Sequence, residues 1–177
     1  MRQSSCLSPH SKVIPNGKNV YFSFMDKINL EVKIRIAALA RERLYSQLAE
    51  ARQQLADLSS SSAGEGKSSA GDKYETQREM IKQSQDIVDR QLARIQEMIN
   101  QLERIPTQPC SQVQEGALVK LPIGLVWVGV SLGKVVDEGK EYLLVSKDSP
   151  LFLAINGLKA HQSTLFRGKE LVVEDVI

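Results

Sequence analysis

The sequence predicts an α+β protein: an N-terminal antiparallel helical hairpin of coiled-coil type, followed by a small antiparallel sheet with one short helix. Two observations predict it. Apolar residues recur at three- and four-residue steps in two long segments joined by a Ser- and Gly-rich connector. After Pro106 that period gives way to short β-rich runs punctuated by glycine.

The first seam reads Leu30, Ile34, Ala37, Leu44, Leu48, Ala51, Leu55 and Leu58, with Arg41 as its one interruption. Two apolar residues per heptad is the pattern of a helix packed on a single partner helix, roughly 40 Å long here. The second seam is Ile81, Val88, Leu92, Ile95, Ile99 and Leu102, ending before Pro106, which cannot continue a helix. Residues 59–71 between them, with glycines at 64, 66 and 71, read as a flexible connector. Two helices so joined fold back antiparallel with the connector at the far tip, and Leu44, Leu48 and Leu55 are expected to face Ile81, Val88 and Leu92. An uninterrupted parallel dimeric coiled coil is the competing arrangement; the glycines argue against it, and a monomer is expected.

The expected organisation is a hairpin over 25–105, a linker over 106–112 and a second domain over 113–177. In the second domain Ala117–Leu121, Leu125–Ser131 and Tyr142–Ser146 read as strands broken by Gly124, Gly133 and Gly139. Ser149 then caps a short helix over about Leu151–Asn156, with Pro150 at its first position and Gly157 ending it. Thr164–Arg167 and Lys169–Val176 read as a hairpin turning at Gly168. Residues 1–24 read either as a disordered tail or as a mis-called start preceding Met25.

Composition narrows the function. In 177 residues the hydrophobic share of 42% and the charged share of 25% are those of a folded soluble protein. A net charge of +2 gives no bulk reason for a nucleic-acid partner. Cys6 and Cys110 fall far apart, in tail and linker, which makes a disulfide framework unexpected and a reducing cytoplasm the expected setting. No apolar run is long enough to span a bilayer, and the patch Val20–Phe24 has no small-residue cleavage site behind it.

Several candidate sites fail on spacing. Gly66-Lys67-Ser68 lacks both the earlier glycine of a phosphate loop, since Ser61 stands there, and the preceding strand. The histidines, His10 and His161, sit in tail and loop, so neither a cysteine nucleophile nor a zinc site can be assembled from them. Trp127 and the other aromatics of the second domain read as its core.

What remains is Gly71-Asp72-Lys73-Tyr74-Glu75 at the tip. Asp72 three residues before Glu75 makes a capping-box-like start for the second helix. The same pair, on one helix face, can also share a hard divalent ion such as Mg²⁺, most of whose ligands must come from a partner. Both readings stand on spacing.

This tip, with Tyr74 and the following Arg78-Glu79, resembles that of the bacterial Gre transcript-cleavage factors. Glu115-Gly116-Ala117-x-Val119-x-Leu121 and Val145-Ser146-x-x-Ser149-Pro150, closed by Gly157, are similar to the opening and the Ser-Pro helix of that family's second domain. The likeness covers roughly residues 25–177 and rests on the joint order of hairpin, acidic tip and Ser-Pro domain. It implies an FKBP-like second domain that docks at the rim of the secondary channel of RNA polymerase through the region of Ser149, Pro150 and Gly157. The hairpin would enter the channel, where Asp72 and Glu75, flanked by Gly71, Lys73, Tyr74 and Thr76, help hold a catalytic Mg²⁺ that drives cleavage of backtracked RNA. The active site would be the polymerase's, the contact with nascent RNA indirect, and no cofactor tightly bound to this chain. The connector is richer in Ser and Gly than the family's turn, and Thr76 stands where asparagine is usual. Two alternatives are a channel-binding regulator or inhibitor without cleavage, and an FKBP-like prolyl isomerase with a coiled-coil handle, whose pocket would have only Trp127, Tyr142, Phe152 and Phe166 to line it.

Overall fold

The computed structural model describes residues 28–63 and 71–177. The expectations for residues 1–24 and for most of the connector lie outside the described residues.

Helix α1 spans Leu30–Ala63 and helix α2 spans Gly71–Arg104, so the connector is shorter than 59–71: four serines and Ala63 continue the first helix, and Gly71 opens the second. Asn29 caps α1, its Oδ1 accepting the Val32 amide at 2.8 Å. The buried seam of α1 runs through Lys33, Ile36, Ala37, Ala40, Leu44, Leu48 and Ala51, with Leu55 and Leu58 half-buried. It therefore steps from Ala37 to Ala40 to Leu44 and is not interrupted; Arg41 stands beside it in solvent. Ile34, expected in the seam, is 49% exposed, because its place on that face is taken by the neighbouring Lys33. From α2 the seam receives Val88, Ile95, Ile99 and Leu102, and each such side chain stabilises the hairpin by about 1.5–3 kcal/mol when fully buried.

The register comes from the Gln85 amide, which donates to Ser59 Oγ at 3.4 Å. Counting back along α1 and forward along α2 from this contact brings Leu55 to within one residue of the level of Val88, Leu48 of Ile95 and Leu44 of Ile99. Of the expected facing set, Leu44, Leu48 and Val88 belong to one apolar cluster, with Leu55 and Leu92 packed against it. Leu44 and Leu48 lie nearer the base, and Ile81 comes level with the end of α1.

The C-terminal part contains β1 (Leu118–Leu121), β2 (Gly124–Gly129), β3 (Gly133–Asp137), β4 (Lys140–Ser146), helix α3 (Pro150–Ile155), β5 (Ser163–Phe166), β6 (Lys169–Val172) and β7 (Asp175–Val176). Five strands form one sheet in the order β3-β4-β2-β1-β7, and β5–β6 is a separate hairpin. The sheet is mostly antiparallel, as expected, but β2 and β4 run parallel, with Leu125 opposite Tyr142 and Gly129 opposite Ser146. The reason is β3, which the glycine-bounded sequence concealed: it turns back at Glu138-Gly139 and pairs on the outer side of β4. The expected strand over Lys169–Val176 is likewise two strands, since β7 leaves β6 to pair with β1.

The sheet is covered on both faces. Leu118, Trp127, Val135, Tyr142 and Leu144 join the hairpin seam in one apolar cluster. Their alternates Val119, Leu121, Val126, Val128 and Val145 pack with Leu151, Phe152 and Ile155 of α3 in a second. This two-sided burial is why β2 reads as a continuous apolar run rather than an alternating one.

Three side chains of α1 fasten it to the C-terminal part. Arg35 Nε meets Asp137 Oδ2 at 2.6 Å and its Nη2 meets Glu138 Oε2 at 3.0 Å. Arg43 donates to the Lys134 carbonyl at 3.1 Å, occupying a polar group of β3, the edge strand. Lys33, 1% exposed, donates through Nζ to the main-chain oxygens of Gln108 and Ile177 and to Cys110 Sγ. Gly116 sits where the linker crosses this junction. Its φ is +90°, and a Cβ there would lie 2.5 Å from the Pro106 carbonyl oxygen, so both conformation and space require glycine.

Candidate functional site

Asp72 and Glu75 both belong to the first turns of α2, so their three-residue spacing is realised on a helix. The N-terminal end of a helix carries the positive pole of its dipole, which favours carboxylates there. The side chains of Asp72, Lys73 and Tyr74 lie outside the described residues, so the capping-box contact expected of Asp72 lies there too. Glu75 and Thr76 are exposed.

By the register given above, Ala63 is level with Ile81, and the start of α2 therefore runs about 15 Å past the end of α1. Exposure agrees: Met80, the last residue of that overhang, is 65% exposed although it is apolar. Along the overhang Glu75, Arg78, Glu79, Ile81, Lys82 and Gln85 line an open groove of about 630 Å³. Acidic and basic side chains alternate there, so the groove offers the exposed carboxylates of Glu75 and Glu79 among balancing charges. Lys82 was not marked by any sequence motif; its three-residue step from Glu79 is the signal that places it on this face. Among the described residues no group of three or more His, Cys, Asp or Glu side chains is placed to hold a metal ion.

The Ser-Pro motif is structural in its immediate contacts. Ser149 Oγ accepts the Phe152 amide at 3.2 Å, Pro150 opens α3, and the helix ends at Ile155. Gly157 adopts φ +79° and donates its amide to the Val113 carbonyl at 2.8 Å, tying the end of α3 to the linker side of the domain. On the outer side of α3, Leu153 is 65% exposed. The aromatics of this domain serve its interior: Trp127, Tyr142 and Phe152 are buried, and Phe166 lies beneath the Arg167 guanidinium at 5.3 Å. No helix among the described residues is long and apolar enough to cross a membrane.

The described residues thus form a helical hairpin rooted on a small sheet that is covered on both faces. No protein-family model matches the chain, and no curated protein matches it. Among solved structures, that of the transcription factor Gfh1 is similar at 19% identity over 77% of this chain and 92% of that chain, with a TM-score of 0.29.

Proposed function

We propose that this chain is a Gre-type transcription factor that binds bacterial RNA polymerase, with its C-terminal domain docked outside and its hairpin inserted through the secondary channel. The observation that carries this reading is the start of α2, which reaches past the end of α1 and presents Glu75 and the position of Asp72 at the end of the hairpin far from its fastened base. A rod so built delivers carboxylates to a site that a compact domain cannot enter. The resemblance of the tip and of the Ser-Pro domain to the Gre factors supplies the identity of that site.

Two carboxylates supply too few oxygens to hold Mg²⁺ alone, so the residues fit a shared ion whose other ligands belong to the polymerase. When bound, such an ion activates water and offsets the charge that develops on the phosphate. The contribution of this chain is placement: α2 fixes the spacing of Asp72 and Glu75, and the seam behind it sets how far they reach. It owns no active site in this reading. The Ser- and Gly-rich connector and Thr76 favour a second reading, a channel-binding regulator that does not stimulate cleavage, because a loosely held tip costs positional precision.

The test is a transcript-cleavage assay on a stalled elongation complex with the cognate polymerase, comparing the unmodified protein with an Asp72→Asn, Glu75→Gln double variant. Stimulated cleavage that disappears in the variant, with affinity kept within a few fold, is the expected result. Cleavage that survives both changes removes the metal role. Binding without cleavage by the unmodified protein selects the regulator, and no binding at all overturns the proposal.

A further inference from the structure

Lys33 is the one charged side chain buried among the described residues. Its Nζ donates to the Gln108 carbonyl at 2.5 Å, to the Ile177 main-chain oxygen at 3.2 Å and to Cys110 Sγ at 3.3 Å. The arrangement holds an amine nitrogen against a sulfur. The two main-chain oxygens pin the nitrogen from other directions, and 3.3 Å lies within the range of reacting atoms poised for attack. Cys110 is half-buried at the edge of the second apolar cluster.

We propose that Lys33 and Cys110 are a modification site: on oxidation by hydrogen peroxide they join through a sulfur–nitrogen bond, a sulfenamide. In the first step the Cys110 sulfur is oxidised to sulfenic acid as peroxide is reduced to water. In the second, the Lys33 ammonium gives one proton to solvent and the freed lone pair on Nζ attacks that sulfur, the S–N bond forms, the S–O bond breaks, and hydroxide leaves as water with a second proton from the nitrogen. The link ties α1 to the linker across 77 positions of sequence and fastens the base of the hairpin covalently. A thiol reductant attacks the sulfur, expels the amine and returns the thiol through a mixed disulfide. The site stands independently of any role at the polymerase.

The experiment treats the full chain carrying Cys6→Ser, which prevents a Cys6–Cys110 disulfide, with a few equivalents of hydrogen peroxide. The expected product has lost about 2 Da, yields a cross-linked peptide joining Lys33 to Cys110, and reverts with dithiothreitol. In Lys33→Arg and Lys33→Met the same treatment is expected to stop at a Cys110 sulfenic acid that dimedone traps. A dimedone adduct or a sulfinic acid at Cys110 in the lysine-containing protein, with no cross-link, overturns the proposal. So does a link from Cys110 to any other nitrogen, or a Cys110 that peroxide leaves untouched.

Discussion

The guanidinium of Arg35 in α1 and the carboxylate of Asp137 at the end of β3 meet at 2.6 Å, 102 residues apart in sequence. The hydrogen bond with Asp137 pushes Arg35 further above its already high ordinary value, so it stays charged throughout any practical pH range. The pair lies at the rim of the hairpin junction, where salt reaches it. Replacing Arg35 with Ala is expected to lower the melting temperature at low ionic strength and to have little effect near 1 M salt. A variant that melts with the unmodified protein in dilute buffer would show that the pair merely decorates the junction.

The seam separates two neighbouring kinds of position on α1. Leu48 is buried, so Leu48→Asp should cost about 3 kcal/mol or more through an unpaired buried charge. Ile34 faces solvent, and Ile34→Asp should change stability by about 0.5 kcal/mol or less. Urea unfolding followed by helical circular dichroism checks both, and equal losses would refute the assignment of faces.

Trp127 lies flat over Gly129 on the same side of β2, and a Cβ on Gly129 would come within 2.1 Å of its ring. The indole is 1% exposed and has no room to swing away. Gly129→Ala is expected to destabilise the domain by about 1–3 kcal/mol and to alter the fluorescence of this single tryptophan. Unchanged emission and unchanged stability would mean that the ring packs elsewhere.

Burial raises the Tyr142 phenol above its ordinary value, with Asp137 and Glu138 adding to the rise and Lys140 and Arg35 opposing it. An acid raised in the folded state keeps its full contribution below the unfolded value, about 10 for tyrosine, and loses it as pH climbs through the folded value. Alkaline conditions should therefore unfold the protein in part through this group. Comparing denaturant midpoints at about pH 9 and about pH 11, Tyr142→Phe should lose less stability than the unmodified chain. A parallel loss in both proteins would assign the alkaline sensitivity to other groups.

The hairpin was legible because its signal is periodic and local: Leu44, Leu48 and Ala51 repeat on α1, and Val88, Ile95 and Ile99 on α2. The Ser149 cap and the Pro150 start were legible for the same reason, a cap being a contact three residues away. Lys33 was not, since a lysine in an apolar series reads as a flank, and its acceptors come from Gln108, Cys110 and Ile177. Nor was the parallel pairing of β2 with β4, which depends on β3 taking the outer position. At the tip the residue types were legible, whereas the overhang required the register set by Ser59 and Gln85.

The contact of Lys33 with the main-chain oxygen of Ile177 spans 144 positions, and β7 closes the edge of the sheet only once Asp175 and Val176 reach β1. A ribosome adding about 5–20 residues each second therefore releases a hairpin able to zip its own seam seconds before the sheet can be completed. Over that interval the side chains destined for the junction, Ile28 and Ile36 among them, have no sheet to cover them. The order of synthesis thus gives the nascent chain a brief sticky phase at the root of the rod, and folding is to be expected in two steps, the quick local closure of the hairpin followed by the slower long-range docking of the sheet.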